Sequence, residues 1–450
     1  MFMASHYRLV PVKKPSFREQ PKMTRLRGTP GLVLLVMVML CACFGTVQAA
    51  YHLPHANTLL LRYECPEALF VFGASMVDTG NFLASLPHTG TLSVESWPYG
   101  MNFFGVPSGR FADGRVLVDY FSQAFQFPLL TPYFRSVAAD FRRGANFAYA
   151  GSPILDNPVS LIRYHIKVQE QLFLKFKKDA LGVLKQSSTG IVSCKTAFLP
   201  QSEETFNKGL YIFRYNLRND FADLLRTGAI SLSEARDVYS AKLAAAIGDT
   251  VQSMYGNGAR QFFLFKSPAL GCAPELLTVY ANDTSLHKSE HGCVRELNDI
   301  SDAFNAHLVT VASNLRANLS EAIIFLFDFA AAQREVWDAP SKYGFAKEKL
   351  LRACCGIGGR YNYDKSRSCT AAYTENGQSK TVGACADPDQ HVNWDGIHDT
   401  EAYSRVMATF ALTGQFLDPP FNLKEKCHLD FSKFRGANVT SSYPDFIFPS

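Results

Sequence analysis

A serine near one end of the chain and an aspartate–histidine pair near the other have the residue types of an acyl-transfer catalyst. Ser75 stands in FGASMVDTGN, two residues beyond Gly73, and a serine at a tight strand-to-helix turn presents its hydroxyl at the edge of a sheet. Such a nucleophile needs a base and an acid that orients the base. Asp395 and His398, three residues apart in VNWDGIHDTEAY, are close enough for the carboxylate to orient the imidazole. The same residues also fit a helix cap at Ser75 and a solvated loop before a last helix that Thr400 caps.

Two further positions could supply hydrogen-bond donors for the oxyanion of an ester-transfer reaction. Gly151 in GANFAYAG has no Cβ beside its backbone N–H, and Asn219 in YNLRNDF carries a side-chain amide. A packing glycine and a turn Asn-Asp pair are the alternative interpretations. Three of these features follow predicted strands and the fourth, the Asp395–His398 pair, lies late in the chain; together they favour an active site more than any one of them does.

The apolar pattern predicts the elements that position these residues. Five short apolar runs are predicted as buried strands: Ala68–Phe72, Gly144–Ala150, Leu210–Tyr215, Gln261–Phe265 and Ala322–Phe327. Apolar residues at three- and four-residue spacing predict helices over Ser233–Tyr255, Val294–Leu319 and Thr400–Leu412. Strands separated by helices indicate a single α/β domain whose parallel sheet is covered on both faces. Reactive groups gather at the carboxyl ends of such strands.

The N-terminal segment has the pattern of a secretory signal peptide. The run Leu32–Phe44 is uninterruptedly apolar, follows a basic stretch and precedes GTVQAA. It is short for a transmembrane helix of about 20 residues. We expect a signal peptide over residues 1–49, with Met23 as a second candidate start, then one domain over 50–425 and a C-terminal tail over 426–450. A retained anchor or a buried helix is the alternative; after cleavage we expect no stable membrane insertion.

Composition and charge exclude several classes of protein. The 450 residues are 47% hydrophobic and 19% charged, a balance typical of a globular chain. The formal net charge is +5, but the first 50 residues contain seven Lys/Arg and one Glu. The rest of the chain is therefore close to neutral, and no nucleic-acid partner is expected.

Nine cysteines follow residue 50, and in an oxidising compartment they should mostly pair, leaving at least one over. A Cys272–Cys293 bridge would close a short loop and contribute on the order of 3 kcal/mol. There is no CxxC repeat and no His/Cys cluster at metal-ligand spacing, so no metal site is expected. Three N-glycosylation sequons, at Asn282, Asn318 and Asn438, agree with secretion.

Several long blocks resemble, in order, those of the plant GDSL esterase/lipase family, a branch of the SGNH hydrolases. The family's FGDSxxDxGN block reads FGASMVDTGN here, and its PYGxxFFGxPxGRFxDGR block reads PYGMNFFGVPSGRFADGR. The GANFAYAGS, NLRNDF, ACCGIGGRYNY, CADPDQHVNWDG and NWDGIHDTEAY segments are also similar to the family. The resemblance covers nearly all of residues 66–420.

The resemblance implies a three-layer α/β/α sandwich of flavodoxin type around a central parallel sheet. It places the nucleophile at Ser75, oxyanion donors at Ser75, Gly151 and Asn219, and the acid–base pair at Asp395 and His398. It also implies hydrolysis of carboxylic esters, whether acyl, lipid or acetyl esters, without a cofactor. The expected location is extracellular, in the apoplast or cell wall.

Two positions depart from the family pattern. Ala74 replaces the Asp of GDS, and Leu217 replaces a Gly two residues before the oxyanion Asn. If residue 217 needed a positive φ, a bulky side chain there would cost about 1–3 kcal/mol. These departures motivate the alternative function, a catalytically impaired secreted glycoprotein that keeps its cleft for binding a glycan or a lipid.

Overall fold

The computed structural model of the protein describes residues 60–87, 90, 92–187 and 196–434. The predicted signal peptide, Cys194 and the sequon at Asn438 lie outside these residues. Of the other sequons, Asn282 lies in an exposed turn and Asn318 is exposed at a helix end. Their glycosylation stays a prediction.

A six-stranded sheet forms the centre of the described domain. The strands of the described residues, in chain order, are β1 (Leu69–Gly73), β2 (Gly144–Asn146), β3 (Leu210–Arg214), β4 (Gln261–Phe265), β5 (Ile323–Phe327), β6 (Ala372–Glu375), β7 (Gln378–Thr381) and β8 (Leu417–Asp418). All of them except β6 and β7 belong to this sheet. The sheet order is β2-β1-β3-β4-β5-β8, and the first five of these strands are parallel. This 2-1-3-4-5 order is that of the flavodoxin type.

Helices connect the parallel strands and also follow the last of them. They are α1 (Asn81–Ala84), α2 (Leu117–Ala124), α3 (Ile166–Ser187), α4 (Glu203–Asn207), α5 (Arg218–Arg226), α6 (Leu232–Glu234), α7 (Ser240–Gly256), α8 (Pro274–Val279), α9 (Arg295–Asn318), α10 (Phe329–Asp338), α11 (Glu401–Thr413) and α12 (Leu423–Lys426). A π-helical turn, Ala235–Tyr239, joins α6 to α7. None of the helices in the described part of the chain combines the length and the apolarity that crossing a bilayer requires.

The two faces of the sheet are buried against different helices. Alternate residues of a strand point to opposite faces, so Phe70 and Phe72 of β1 lie in one apolar core together with residues of α3, α7 and α9. Leu69 and Val71 lie in a second core with residues of α2, α10 and α11. Burial on both faces explains why the strands are continuous apolar runs. The predicted α/β architecture, with helices on both sides of the sheet, is confirmed.

The structure differs from the predicted elements at the edges. β2 ends at Asn146, earlier than predicted, although Phe147 and Tyr149 still donate backbone hydrogen bonds to β1. β8 adds an antiparallel edge strand beside β5, and β6 and β7 form a separate antiparallel hairpin. These short or exposed segments carry too little apolar pattern to be predicted as strands.

Four disulfides cross-link the described domain. Cys272–Cys293 is confirmed, and the other pairs are Cys65–Cys427, Cys354–Cys385 and Cys355–Cys369. Cys427 belongs to a C-terminal segment that also packs on the domain through Phe434, whose ring lies 5.0 Å from that of Tyr120.

Candidate active site

Ser75 lies in a tight turn that directly follows β1. The Asp78 N–H donates to the Ala74 carbonyl at 3.1 Å, which folds the chain sharply around Ser75. The turn requires a glycine at position 73, because a Cβ there would lie 2.0 Å from the carbonyl oxygen of Arg214 and would clash with it. Ser75 is therefore held at the carboxyl end of a central strand, where only 4% of its surface is exposed.

Asp78, rather than Ser75, satisfies the amides at the start of α1. Its carboxylate accepts hydrogen bonds from four backbone N–H groups, those of Gly80 (2.7 Å), Asn81 (2.6 Å), Phe82 (3.1 Å) and Ala150 (2.9 Å). Burial raises the pKa of Asp78 to about 6, and the four amide donors oppose that rise. Because Asp78 takes this role, the interpretation of Ser75 as a helix cap is wrong. The bond from Ala150 ties the Ser75 turn to the residue before Gly151.

Gly151 occupies a backbone conformation that favours glycine. Its φ is +78°, and a Cβ at this position would lie 2.9 Å from Cγ1 of Ile162. A side chain would therefore be both strained and crowded here. The carbonyl of the next residue, Ser152, connects this loop to Asn219.

Asn219 lies in the first turn of α5, just after β3. Its Nδ2 donates to the carbonyl of Ser152 at 3.1 Å, so the loop of Gly151 and the Asn219 amide are in direct contact. An amide nitrogen carries two N–H groups, and among the described residues the Ser152 carbonyl is the one acceptor of this nitrogen. The neighbouring Arg218 forms a two-pronged ion pair with Glu275 at 2.5 Å, and the Glu275 N–H donates to the Gly396 carbonyl at 3.0 Å.

Leu217 carries no backbone strain. Its φ and ψ are −56° and −22°, an ordinary right-handed helical conformation, and its side chain is buried in the core that contains Phe70. Residue 217 does not need a positive φ, so the replacement of the family's glycine by Leu217 gives no reason for Asn219 to be displaced.

Asp395 and His398 form a buried pair. Asp395 Oδ2 lies 2.7 Å from Nδ1 of His398, and Asp395 Oδ1 accepts the His398 N–H at 2.9 Å. The Tyr99 hydroxyl donates to the same Oδ2 at 2.7 Å. Burial by itself would raise the pKa of Asp395, but the charge of His398 and the hydrogen bonds from His398 and Tyr99 lower it to about 2. The carboxylate is therefore ionised at neutral pH and accepts, so Nδ1 of His398 donates and Nε2 is the basic nitrogen.

The turn of Ser75 and the loop of His398 are joined by Arg214 at the end of β3. Its guanidinium donates to the Met76 carbonyl at 3.2 Å and to Asp399 Oδ2 at 2.7 Å. Met76 follows Ser75 and Asp399 follows His398. Among the described residues, the side-chain hydrogen bond of the His398 ring is to Asp395, and none joins the ring to Ser75 Oγ. A nucleophile–base hydrogen bond often tightens only in the complex with substrate.

A mainly apolar cavity opens beside this junction. Met76 and Ile397, neighbours in sequence of Ser75 and His398, form part of its wall, and Phe329, Trp337 and Leu350 form more of it. None of Ser75, Gly151, Asn219 and His398 is among its lining residues, so this cavity does not mark where an ester carbonyl would bind.

Among the described residues, one cluster has the atoms of a metal site, namely Cys354, Cys385 and His391. Cys354 and Cys385 are joined in a disulfide, so their sulfurs are not thiolate ligands. The cluster does not fit a metal ion.

Sequence reasoning missed two residues that contact the site. Tyr99, the donor to Asp395, lies inside the PYGMNFFGVPSGRFADGR block, and that position is the signal that could have found it. Arg214 is a single charge at the end of an apolar strand. A buried charge at the carboxyl end of a parallel strand is itself a signal of function or pairing.

Comparison with known proteins gives a consistent result. The model of the family described as GDSL-like Lipase/Acylhydrolase matches residues 69–410. The chain is 34% identical over 370 residues to the GDSL esterase/lipase ENOD8 of Medicago truncatula, covering 80% of this chain and 90% of that protein. It is 32% identical to a protein named esterase from Hevea brasiliensis over 80% of this chain and 89% of that one. It is also 32% identical to the GDSL esterase/lipase ACHE of Zea mays, with 80% and 89% covered.

Proposed function

The chain belongs to the GDSL-like lipase/acylhydrolase family, which makes it a carboxylic ester hydrolase, and we propose that it works through a Ser75–His398–Asp395 triad and an acyl-enzyme. The observation that carries this proposal is the hydrogen bond between Asp395 and Nδ1 of His398. It orients the imidazole and leaves Nε2 as the base.

In the first half of the reaction, His398 Nε2 takes the proton of Ser75 as Oγ attacks the ester carbonyl. The ionised Asp395 stabilises the imidazolium that forms. The negative charge on the tetrahedral oxygen is stabilised by the N–H groups of Ser75 and Gly151 and by the side-chain amide of Asn219. His398 then protonates the leaving alcohol, and the acyl group remains on Ser75.

In the second half, water takes the place of the alcohol. His398 accepts a proton from this water as it attacks the acyl carbonyl, and returns the proton to Ser75 Oγ as the carboxylic acid leaves. Neither step draws on a cofactor.

Membership of the family implies a small-molecule ester as substrate, and lipid esters are part of the same proposal. Secretion is supported by the four disulfides, which persist in oxidising compartments, together with the signal pattern and the sequons.

Hydrolysis of p-nitrophenyl acetate by purified wild-type protein and by Ser75→Ala tests the proposal. We expect turnover in the wild type and a loss of at least about 10³-fold in the variant. Equal rates in the two proteins would remove Ser75 as the nucleophile. The impaired-glycoprotein alternative predicts no turnover in either protein while both are folded.

A further inference from the structure

We propose that Arg214 is a positioning residue that holds the nucleophile turn and the histidine loop at a fixed separation. The proposal rests on the triad proposed above. It assigns a role to a residue that lies outside the triad and outside the oxyanion donors.

The backbone of Arg214 meets the nucleophile turn first. Arg214 pairs with Gly73 in the parallel register of β3 and β1. Its carbonyl accepts the Ala74 N–H at 3.3 Å, and its side chain donates to the Met76 carbonyl at 3.2 Å. The residues on both sides of Ser75 are thus bonded to the same arginine.

The other end of the guanidinium reaches the histidine loop. It donates to Asp399 Oδ2 at 2.7 Å, and its side chain is 4% exposed. The guanidinium also lies over the ring of Phe329, 4.6 Å from the centroid. Because a guanidinium is planar and its donors are fixed relative to one another, the Met76 carbonyl and the Asp399 carboxylate are held at a set spacing.

Other contacts fix each half of the site separately. Asp395 orients the His398 ring, and the Trp394 N–H donates to the His398 carbonyl at 2.7 Å. Asp78 braces the nucleophile turn. Among the described residues, Arg214 is the one whose side chain hydrogen-bonds to both the 74–78 turn and the 393–399 loop.

This arrangement is better suited to positioning than to stability. Replacement of a buried ion pair by apolar residues is often neutral or stabilising, so a buried pair is weak support for a purely structural role. A nucleophile and base displaced by about 1 Å, in contrast, can lose about 100-fold in rate. The spacing that Arg214 sets is the distance on which proton transfer from Ser75 depends.

Three variants test the positioning role of Arg214. Arg214→Lys keeps the positive charge but loses the planar guanidinium, and Asp399→Asn keeps the size of the side chain but loses its charge. The third variant combines both changes. We expect Arg214→Lys to lower kcat by about 10- to 100-fold while KM for p-nitrophenyl acetate changes by less than about threefold. Asp399→Asn should lower kcat by about 10-fold. The double variant should be no slower than the slower single variant, since both changes break one link.

Arg316→Lys is the matched control. Arg316 also makes several bonds, to the Ile324 carbonyl and to Asp418, and it joins α9 to β5 and β8. We expect this variant to lower the melting temperature without changing kcat of the folded protein. All rates are taken per folded molecule, with the folded fraction measured by near-UV circular dichroism.

Unchanged kcat in both Arg214→Lys and Asp399→Asn, with an active wild type, would overturn this inference alone. A wild type that neither hydrolyses the ester nor reacts with a fluorophosphonate would overturn the proposed function and this inference with it. Equal loss of kcat in the Arg316→Lys control would also overturn the positioning role, because the effect would then be general.

Discussion

Oδ2 of Asp395 accepts hydrogen bonds at 2.7 Å from both Nδ1 of His398 and the phenol of Tyr99. The histidine lies three residues away and the tyrosine 296. The tyrosine therefore fixes the carboxylate that in turn fixes the imidazole. Burial, followed by the charge of Asp395, raises the pKa of Tyr99 well above its ordinary value, so the phenol stays a donor across the working pH range.

Tyr99→Phe should weaken catalysis without abolishing it. The variant removes one donor from a buried carboxylate that keeps its bonds to His398, and such a charge-assisted bond contributes about 1.5–3 kcal/mol. We expect kcat/KM for a short p-nitrophenyl ester to fall by about 10-fold, with KM little changed. Steady-state hydrolysis assays at pH 7.5 measure both kcat/KM and KM.

Tyr211→Phe is the control for the loss of a buried phenol. The Tyr211 hydroxyl donates to the Phe206 carbonyl at 2.9 Å, within the core that contains Phe70. The Tyr211→Phe variant should be less stable than wild type and should keep its kcat. If the two variants lose activity equally, the Tyr99 bond has no special role in orienting the triad.

The sequence predicts β1, β3, β4 and β5 well because each is a largely apolar, buried run, whereas β2 ends at Asn146, before the apolar run that predicted it ends. It also predicts the pairing of Asp395 with His398, since both lie in one short loop. The bonds from Tyr99 to Asp395 and from Arg214 to Asp399 span 296 and 185 residues, and no local spacing encodes them. β8 is only two residues long, and the residues of the β6–β7 hairpin are mostly exposed, so neither has the alternation by which strands are recognised.

Gly151→Ala should impair both folding and turnover. An alanine at φ +78° costs about 1–3 kcal/mol, and its Cβ would press on Ile162. The displaced N–H would donate less well to the oxyanion, and we expect kcat to fall by at least about 10-fold. Urea unfolding measures the loss of stability, and ester hydrolysis measures the fall in kcat.

Gly228→Ala separates the backbone cost from the effect on the site. Gly228 has φ +69°, and a Cβ there would meet no heavy atom within 4 Å. This variant should lose a similar part of its free energy of unfolding and keep kcat. A Gly151→Ala protein with full kcat would show that this N–H does not stabilise the oxyanion.

Asp220, the neighbour of Asn219, should make the protein less stable as the pH rises. Burial raises the pKa of Asp220 to about 8, and its Oδ1 accepts the N–H groups of Ile154 and Leu155. Between pH 4 and pH 8 the folded carboxyl holds a proton that the unfolded chain, with a pKa of about 3.9, releases. The free energy of unfolding then falls by up to about 1.4 kcal/mol per pH unit from this group.

Asp220→Asn removes that dependence, because the amide does not titrate. We expect the variant to gain stability relative to wild type between pH 5 and pH 8, measured by urea unfolding at each pH. The exposed Asp223→Asn, three residues further along α5, is the control for replacing a carboxylate of this helix. A stability difference between Asp220→Asn and wild type that is independent of pH would mean that Asp220 is ionised in the folded protein.

The central claim is that the Ser75 hydroxyl is made nucleophilic by His398. Reaction of the folded protein with a fluorophosphonate, followed by peptide mapping, measures this without any assumption about the natural ester. We predict one equivalent of label on Ser75 in the wild type and a rate of labelling at least about 100-fold lower in His398→Ala. Folded wild-type protein that stays unlabelled, or that reacts no faster than His398→Ala, would contradict the account.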